Sequence, residues 1–167
     1  MTPPFRLEPL NDKHDRASFA CGQDALDRYF QTQVTQDFRR RVATCFVAIE
    51  QTTGRLAAFY TIAAASIPTP DLPIEISQRL PRYPSIPAVR IGRLAVDLRF
   101  RGRGLGGGLL ADAVRRVLLA PLAVFALLVD AKDDDAVTFY KHHGFQPLTG
   151  HARTLFLPVA TAEKTLL

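Results

Sequence analysis

Six residues in the middle of the chain, Arg101-Gly102-Arg103-Gly104-Leu105-Gly106, have the makings of a pyrophosphate site. Glycines let backbone N–H groups turn inward, and a helix starting at the end of the run adds a partial positive charge. Arg101 and Arg103 can add charge-assisted bonds to phosphate oxygens. A tight turn alone would need fewer than the five glycines found between positions 102 and 108. Gly102, Gly104 and Gly107 also spell G-x-G-x-x-G, and Asp130 ends the next apolar run, as in a dinucleotide fold. That turn should follow its strand directly, whereas Asp97–Arg101 intervene here, and too little chain remains after Asp130 for a doubly wound sheet. A Walker phosphate loop fails because no Lys-Ser/Thr pair follows the glycines.

Such a loop needs a strand before it and a helix after it. Val89–Val96 reads as the strand, and a helix runs from about Gly106 to Leu119, with Leu109, Leu110, Ala113, Val114 and Val117 on one side. Val124–Val129 is continuously apolar, as a strand buried on both faces would be. A helix around Asp134–His142 follows, with Gly144 as its C-terminal cap, then a strand around Thr154–Leu157.

Upstream, Leu26, Tyr29, Phe30, Val34 and Phe38 predict one amphipathic helix over Gln23–Arg41. Thr44–Glu50 and Arg55–Ile62 flank a Gly-containing turn and predict an antiparallel hairpin. Six of the twelve prolines fall between Pro68 and Pro87, so that stretch reads as a covering loop with one short helix around Ile74–Arg79. The order of elements predicts a single α/β layered domain over residues 1–167.

A length of 167 residues and 47% hydrophobic content suffice for one sizeable core. The net charge of +5 favours an anionic partner, whether a phosphorylated cofactor, nucleic acid or an acidic protein, without choosing among them. Cys21 and Cys45 lack metal-ligand spacing and no histidine cluster accompanies them, so no metal is expected and both cysteines should pack as small apolar groups. No signal-peptide core opens the chain and no apolar run reaches roughly 20 residues. A soluble cytoplasmic protein, away from membranes, is the expectation.

Arg101-x-x-Gly104-x-Gly106 resembles the Q/R-x-x-G-x-G/A coenzyme A motif of the GNAT acetyltransferases. Arg93-Leu94-Ala95-Val96-Asp97 before it, Leu109-Leu110-x-x-Ala113 after it and Phe139-Tyr140-x-x-x-Gly144-Phe145 further on agree in order and spacing, over roughly residues 89–147. The resemblance implies a mixed, mostly antiparallel, splayed sheet flanked by helices, with acetyl-CoA as cofactor. It implies that the pantetheine arm pairs with the strand holding Leu94, Ala95 and Val96. The pyrophosphate would sit on amides of Arg101, Gly102, Arg103, Gly104, Leu105 and Gly106, with Gly107 beside them. It also places Tyr140 next to the sulfur, where a phenol of pKa about 10 can share or donate a proton to a thiolate whose thiol lies near about 8.5. Many members carry Asn where this chain has Asp133, three positions before Ala136; a carboxylate suits an anionic cofactor poorly, so Asp133 receives no cofactor role.

No side chain stands out as general base. Glu50 and Glu75 read as solvated carboxylates, and His142 and His143 as helix-end residues. An α-amino group, titrating at roughly 7.7–8.0, needs little help; a lysine amine at about 10.4 needs more.

Phe19-x-Cys21-Gly22-x-x-x-Leu26-Asp27-x-Tyr29-Phe30, Ile86-Pro87 and Leu155-Phe156-Leu157-Pro158 extend the resemblance to TacT-like toxins of bacterial GNAT/ribbon-helix-helix modules. That implies acetylation of the α-amino group of aminoacyl-tRNA, a ribbon-helix-helix antitoxin and a homodimer. Arg39, Arg40, Arg41, Arg90 and Arg93 are then candidates for phosphate contacts. Each has another reading: the triplet can complement a helix C-terminus, and Arg90 or Arg93 can answer an internal carboxylate. Rival functions are a GNAT acting on a small amine or a protein lysine, and a non-catalytic GNAT-fold partner of a repressor.

Overall fold

The computed structural model describes residues 4–167, and the chain falls into two compact units. One comprises the residues up to Ala63 with Gly92–Asp112; the other comprises Ala64–Ile91 with Ala113–Leu167.

The first unit begins with strand β1 (Phe5–Pro9), helix α1 (Asp24–Thr32), helix α2 (Val34–Arg39) and strand β2 (Thr44–Glu50). Strand β3 (Leu56–Pro68) starts here, and strand β4 (Ser85–Val96) ends here. β2 pairs antiparallel with β1 (Leu7 opposite Ala48) and with β3 (Phe46 opposite Tyr60), which makes the predicted hairpin. Its core is aromatic. Phe30 stacks on Phe59 with ring centroids 4.2 Å apart, and Phe19 meets both edge-on. Cys21, Cys45, Val47, Leu56 and Ala95 complete this core, so both cysteines pack as small apolar groups.

The helix predicted over Gln23–Arg41 is two helices, broken at Gln33. Thr32, Val34 and Thr35 put three β-branched residues in four positions, and the Thr32 hydroxyl donates to the Arg28 carbonyl. The apolar spacing survives the break as far as the buried Val34, but Phe38 is 49% exposed rather than in the core.

In the second unit, helix α3 (Ile74–Ser77) is the short helix expected within the proline-rich stretch. Helix α4 (Leu105–Leu119), which starts in the first unit, ends here. Strand β5 (Ala126–Asp130), helix α5 (Asp134–His142), strand β6 (Gln146–Leu148), strand β7 (His151–Pro158) and helix α6 (Val159–Leu166) follow. β5 runs parallel to β4 over Ala88–Ile91 and antiparallel to β7, and β6 pairs with β7. Residues 126–129 are all buried, as their unbroken apolar run requires. Ile67, Leu72, Ile86, Leu128 and Phe156 form this unit's core.

β3 and β4 belong to both units, and the hydrogen-bonded order of the seven strands is β1-β2-β3-β4-β5-β7-β6. This is the expected mixed sheet flanked by helices. β1, β6 and α6 had no sequence signal strong enough to announce them. β1 reads Phe-Arg-Leu-Glu-Pro, β6 is three residues around Pro147, and α6 buries only Val159 and Ala162. Short edge elements carry too few core positions for periodicity to show. Among the described residues no helix is long and apolar enough to cross a membrane.

Candidate active site

The last turn of β4 sets the direction of its main-chain groups. Arg93 N–H donates to Thr61 Oγ1 at 3.0 Å, and Asp97 N–H donates to the Ala57 carbonyl at 2.8 Å. Positions 93, 95 and 97 therefore address β3, and by the alternation of a strand Leu94 and Val96 present their amides to the opposite edge. Gly92 is where a side chain would crowd this arrangement: a Cβ there would lie 3.0 Å from Thr61 Oγ1, which would have to give by a few tenths of an ångström.

Asp97 ends the strand and starts the loop. Only 1% exposed, it accepts hydrogen bonds from the amides of Ala20 and Arg99 and from the Arg99 guanidinium. Burial pushes its carboxyl pKa up, but those bonds outweigh burial and hold it below the usual carboxylate value.

The loop itself is shaped by left-handed backbone. Gly102 and Gly104 have φ of 78° and 73°, and a Cβ on either would meet nothing within 4 Å. The glycines are thus required by conformation, and the space above them is open. Gly108 N–H to Gly104 O, at 3.1 Å, closes the first turn of α4. The amides of Leu105, Gly106 and Gly107 precede that turn, and Gly104 has no side chain to cap them. Three N–H groups at the positive end of a 15-residue helix form a fitting cradle for a pyrophosphate.

The two loop arginines are fasteners. Arg101 Nη2 donates to the Cys21 carbonyl at 2.6 Å, and Arg103 Nη1 pairs with Glu50 Oε2 at 3.1 Å while lying over the Phe100 ring. Cys21 is held in turn, because its amide donates to Asp27 Oδ1 at 2.9 Å. The segment Phe19–Phe30 thereby gains a physical role that the sequence signalled only through resemblance: it bolts the loop to α1. Glu50 also accepts from Thr53, and these two bonds keep its pKa low, the opposite of what a general base at neutral pH requires.

In the second unit, Asp133 caps α5: its side chain accepts from the Ala136 amide at 2.8 Å. The helix ends at Gly144 with φ 96°. Tyr140 is 8% exposed, edge-on to Phe139 and Phe145, and burial pushes its phenol up to about 12. The helix turns Tyr140 inward and leaves Phe139 only half-buried. Burial, with the neighbouring His142 charge, holds His143 below the ordinary histidine value.

Arg39, Arg40 and Arg41 are exposed at the end of α2. Arg90 pairs with Asp130, which Thr154 also bonds, so its partner is an internal carboxylate. Arg93 lies over the Tyr29 ring, 3.7 Å from its centroid. No group of three metal-ligating side chains occurs among the described residues.

The Acetyltransferase (GNAT) domain family matches residues 41–147, a span that includes the end of β4, the glycine loop and Tyr140. This chain belongs to the GNAT acetyltransferase family. It is an acetyl-CoA-dependent N-acetyltransferase. The acetyltransferase is 33% identical over 170 residues to the probable toxin TacT of Sinorhizobium fredii, covering 96% of this chain and 94% of that one. It is 34% identical over 139 residues to a tRNA-acetylating toxin of Mycobacterium tuberculosis, covering 82% and 81%. Among solved structures, AtaT complexed with acetyl-methionyl-tRNAfMet superposes with a TM-score of 0.88 at 30% identity, over 98% of this chain and 99% of that one. A mutant AtaT toxin bound to the C-terminus of the antitoxin AtaR and acetyl-CoA gives 0.81 at 27% identity, over 97% and 98%.

Proposed function

We propose that this acetyltransferase is a toxin that acetylates the α-amino group of aminoacyl-tRNA and so blocks translation. One observation carries the reading: similarity to a tRNA-acetylating toxin and to a tRNA-bound relative extends well beyond the cofactor loop, over most of the chain. An acceptor that deprotonates easily also suits a protein whose most buried loop-side carboxylates, Asp97 and Glu50, are committed to hydrogen bonds.

Acetyl-CoA, when bound, supplies the acetyl group as a thioester. The amides of Leu105, Gly106 and Gly107, with the turn from Arg101 to Gly104, hold the pyrophosphate. The main-chain edge at Leu94 and Val96, on either side of Ala95, would align the pantetheine arm, and an N–H on that edge would polarise the acyl oxygen. Tyr140 keeps its proton at any physiological pH, because its phenol titrates near 12. Its part is to donate a hydrogen bond to sulfur as negative charge develops there, rather than to ionise outright.

The same reading makes residues 1–167 one catalytic domain, places it in the cytoplasm and pairs it with a ribbon-helix-helix antitoxin. AtaT bound by the C-terminus of AtaR supports the antitoxin. A homodimer is part of the proposal.

The experiment is transfer of radiolabelled acetyl from acetyl-CoA to total charged tRNA, beside deacylated tRNA, small amines and lysine peptides. Label should enter charged tRNA alone and be released as N-acetyl-amino acid by mild base. Transfer confined to small amines or lysine peptides overturns the proposal.

A further inference from the structure

We infer that the cleft between helix α1 and the end of strand β4 is a phosphodiester-binding subsite for the nucleic-acid substrate, with Arg28 and Arg93 as its cationic donors. The inference rests on the charged-tRNA reading and adds to it a place where the tRNA backbone is held. The cleft has a volume of about 350 Å³ and is lined by Leu26, Arg28, Tyr29, Thr32, Gln33 and Arg93.

Arg93 is the exception among the arginines of β4 and its loop. Arg90 pairs with Asp130, Arg99 with Asp97, Arg101 with the Cys21 carbonyl and Arg103 with Glu50. The Arg93 guanidinium has no hydrogen-bond acceptor or carboxylate partner among the described residues; it lies over the face of Tyr29. That face is rigidly presented, since the Tyr29 ring is buried and its hydroxyl donates to Asp37 at 2.8 Å. Stacking occupies the flat side of the guanidinium and leaves its edge N–H groups unspent. A half-buried cation with unsatisfied donors is costly unless a ligand supplies the acceptor.

Arg28 lines the same cleft, exposed on α1, and also lacks a side-chain partner among the described residues. The nearby Asp27 bonds the Cys21 amide rather than Arg28. Two guanidinium forks suit the two non-bridging oxygens of one phosphodiester, and the Gln33 carboxamide adds a neutral donor.

Chain geometry brings this cleft to the reaction. Arg93 immediately precedes Leu94, whose amide lies on the edge assigned to the thioester arm, and consecutive Cα atoms are about 3.8 Å apart. An amine delivered to that edge carries its attached ribose-phosphate chain past Arg93. Acetyl-CoA contains phosphate too, so the same chemistry has two sources, and the test separates them.

The test compares wild type with Arg28→Gln, Arg93→Gln and Arg93→Lys, measuring KM for charged tRNA and for acetyl-CoA at several salt concentrations. Each Gln variant should raise KM for charged tRNA by about tenfold or more. Each should also reduce the slope of log KM against log salt by about one. Arg93→Lys keeps the charge without the stacked fork, so it should restore the slope while KM stays intermediate. Thermal unfolding checks that Arg93→Gln is folded, and the exposed Arg28 gives an independent variant.

A raised KM for acetyl-CoA with tRNA unaffected would assign the cleft to the cofactor and overturn the inference. So would tRNA kinetics unchanged in both Gln variants, or variants that lose only the binding of oligoglutamate, a mimic of an acidic protein partner. If wild type acetylates charged tRNA and the variants match it, the subsite alone falls. If wild type leaves charged tRNA untouched, the substrate reading falls and takes the subsite with it.

Discussion

Arg101 and Cys21, eighty positions apart in sequence, are joined by a 2.6 Å hydrogen bond from a guanidinium nitrogen to a carbonyl oxygen. The bond ties the first residue of the glycine loop to the segment entering α1. It makes an arginine expected to meet phosphate into the loop's anchor as well.

Arg101→Ala should weaken acetyl-CoA binding in calorimetry and lower stability by about 1–2 kcal/mol, the scale of a lost charge-assisted bond. Arg101→Lys should recover only part of either, because an ammonium lacks the planar fork. Wild-type affinity in Arg101→Ala would show that the loop needs no such anchor.

Gly104 and Gly54 form a matched pair. Both have φ of 73°, and a Cβ on either would meet nothing within 4 Å. Alanine at each should cost about 1–2 kcal/mol of stability through left-handed strain. Only Gly104→Ala should also weaken acetyl-CoA binding, since Gly54 lies in the β2–β3 turn. Equal cofactor affinities for the two variants would remove the loop from the binding site.

Tyr140→Phe should lower kcat by about a hundredfold or more while leaving the KM for acetyl-CoA nearly unchanged. A second signature is thermodynamic. Burial holds the folded phenol near 12 against an ordinary value of 10.0. Between those values the unfolded chain ionises and the folded one does not, so stability falls as pH rises. Cys45, raised from 9.0 to about 12 by burial, acts with the same sign. Urea unfolding of the ligand-free protein from pH 9 to 11 should therefore show a shallower loss in Tyr140→Phe than in wild type. Identical slopes would mean that Tyr140 is not held in its neutral form by the fold.

Asp97→Asn addresses the opposite limb. The folded carboxyl titrates below its ordinary value of 3.8, so its contribution is complete above that pH and is lost as pH falls through the folded value. The variant should be less stable at pH 7 by about 1–3 kcal/mol, because an amide leaves the Ala20 or Arg99 donors poorly matched. Its stability should also depend less on pH below about 4. An acid limb as steep as wild type would place the decisive carboxylate elsewhere.

Much of the backbone of the candidate cofactor site was legible because it is built from neighbours in sequence. Strand, left-handed glycines and helix start follow one another from Arg93 to Leu110, and backbone amides need no distant partner to be aimed. Tyr140 was legible through its place on α5 and the motif around it, although its burial relative to Phe139 was not. The break at Gln33 was hidden because Val34 keeps the helical spacing that both a continuous and a broken helix satisfy.

The sequence by itself determined which backbone could cradle a phosphate, where strands and helices alternate around it, and the family to which the chain belongs. Tertiary structure alone decided what each charge does. Arg90 found Asp130, Arg103 found Glu50, Arg101 found the Cys21 carbonyl, and Arg93 found an aromatic face, with no acceptor for its donors among the described residues. Those partners lie 40, 53, 80 and 64 positions away, the last being 93 minus 29. A cation's partner depends on which surfaces folding brings within a few ångströms, and local sequence holds no record of that distance.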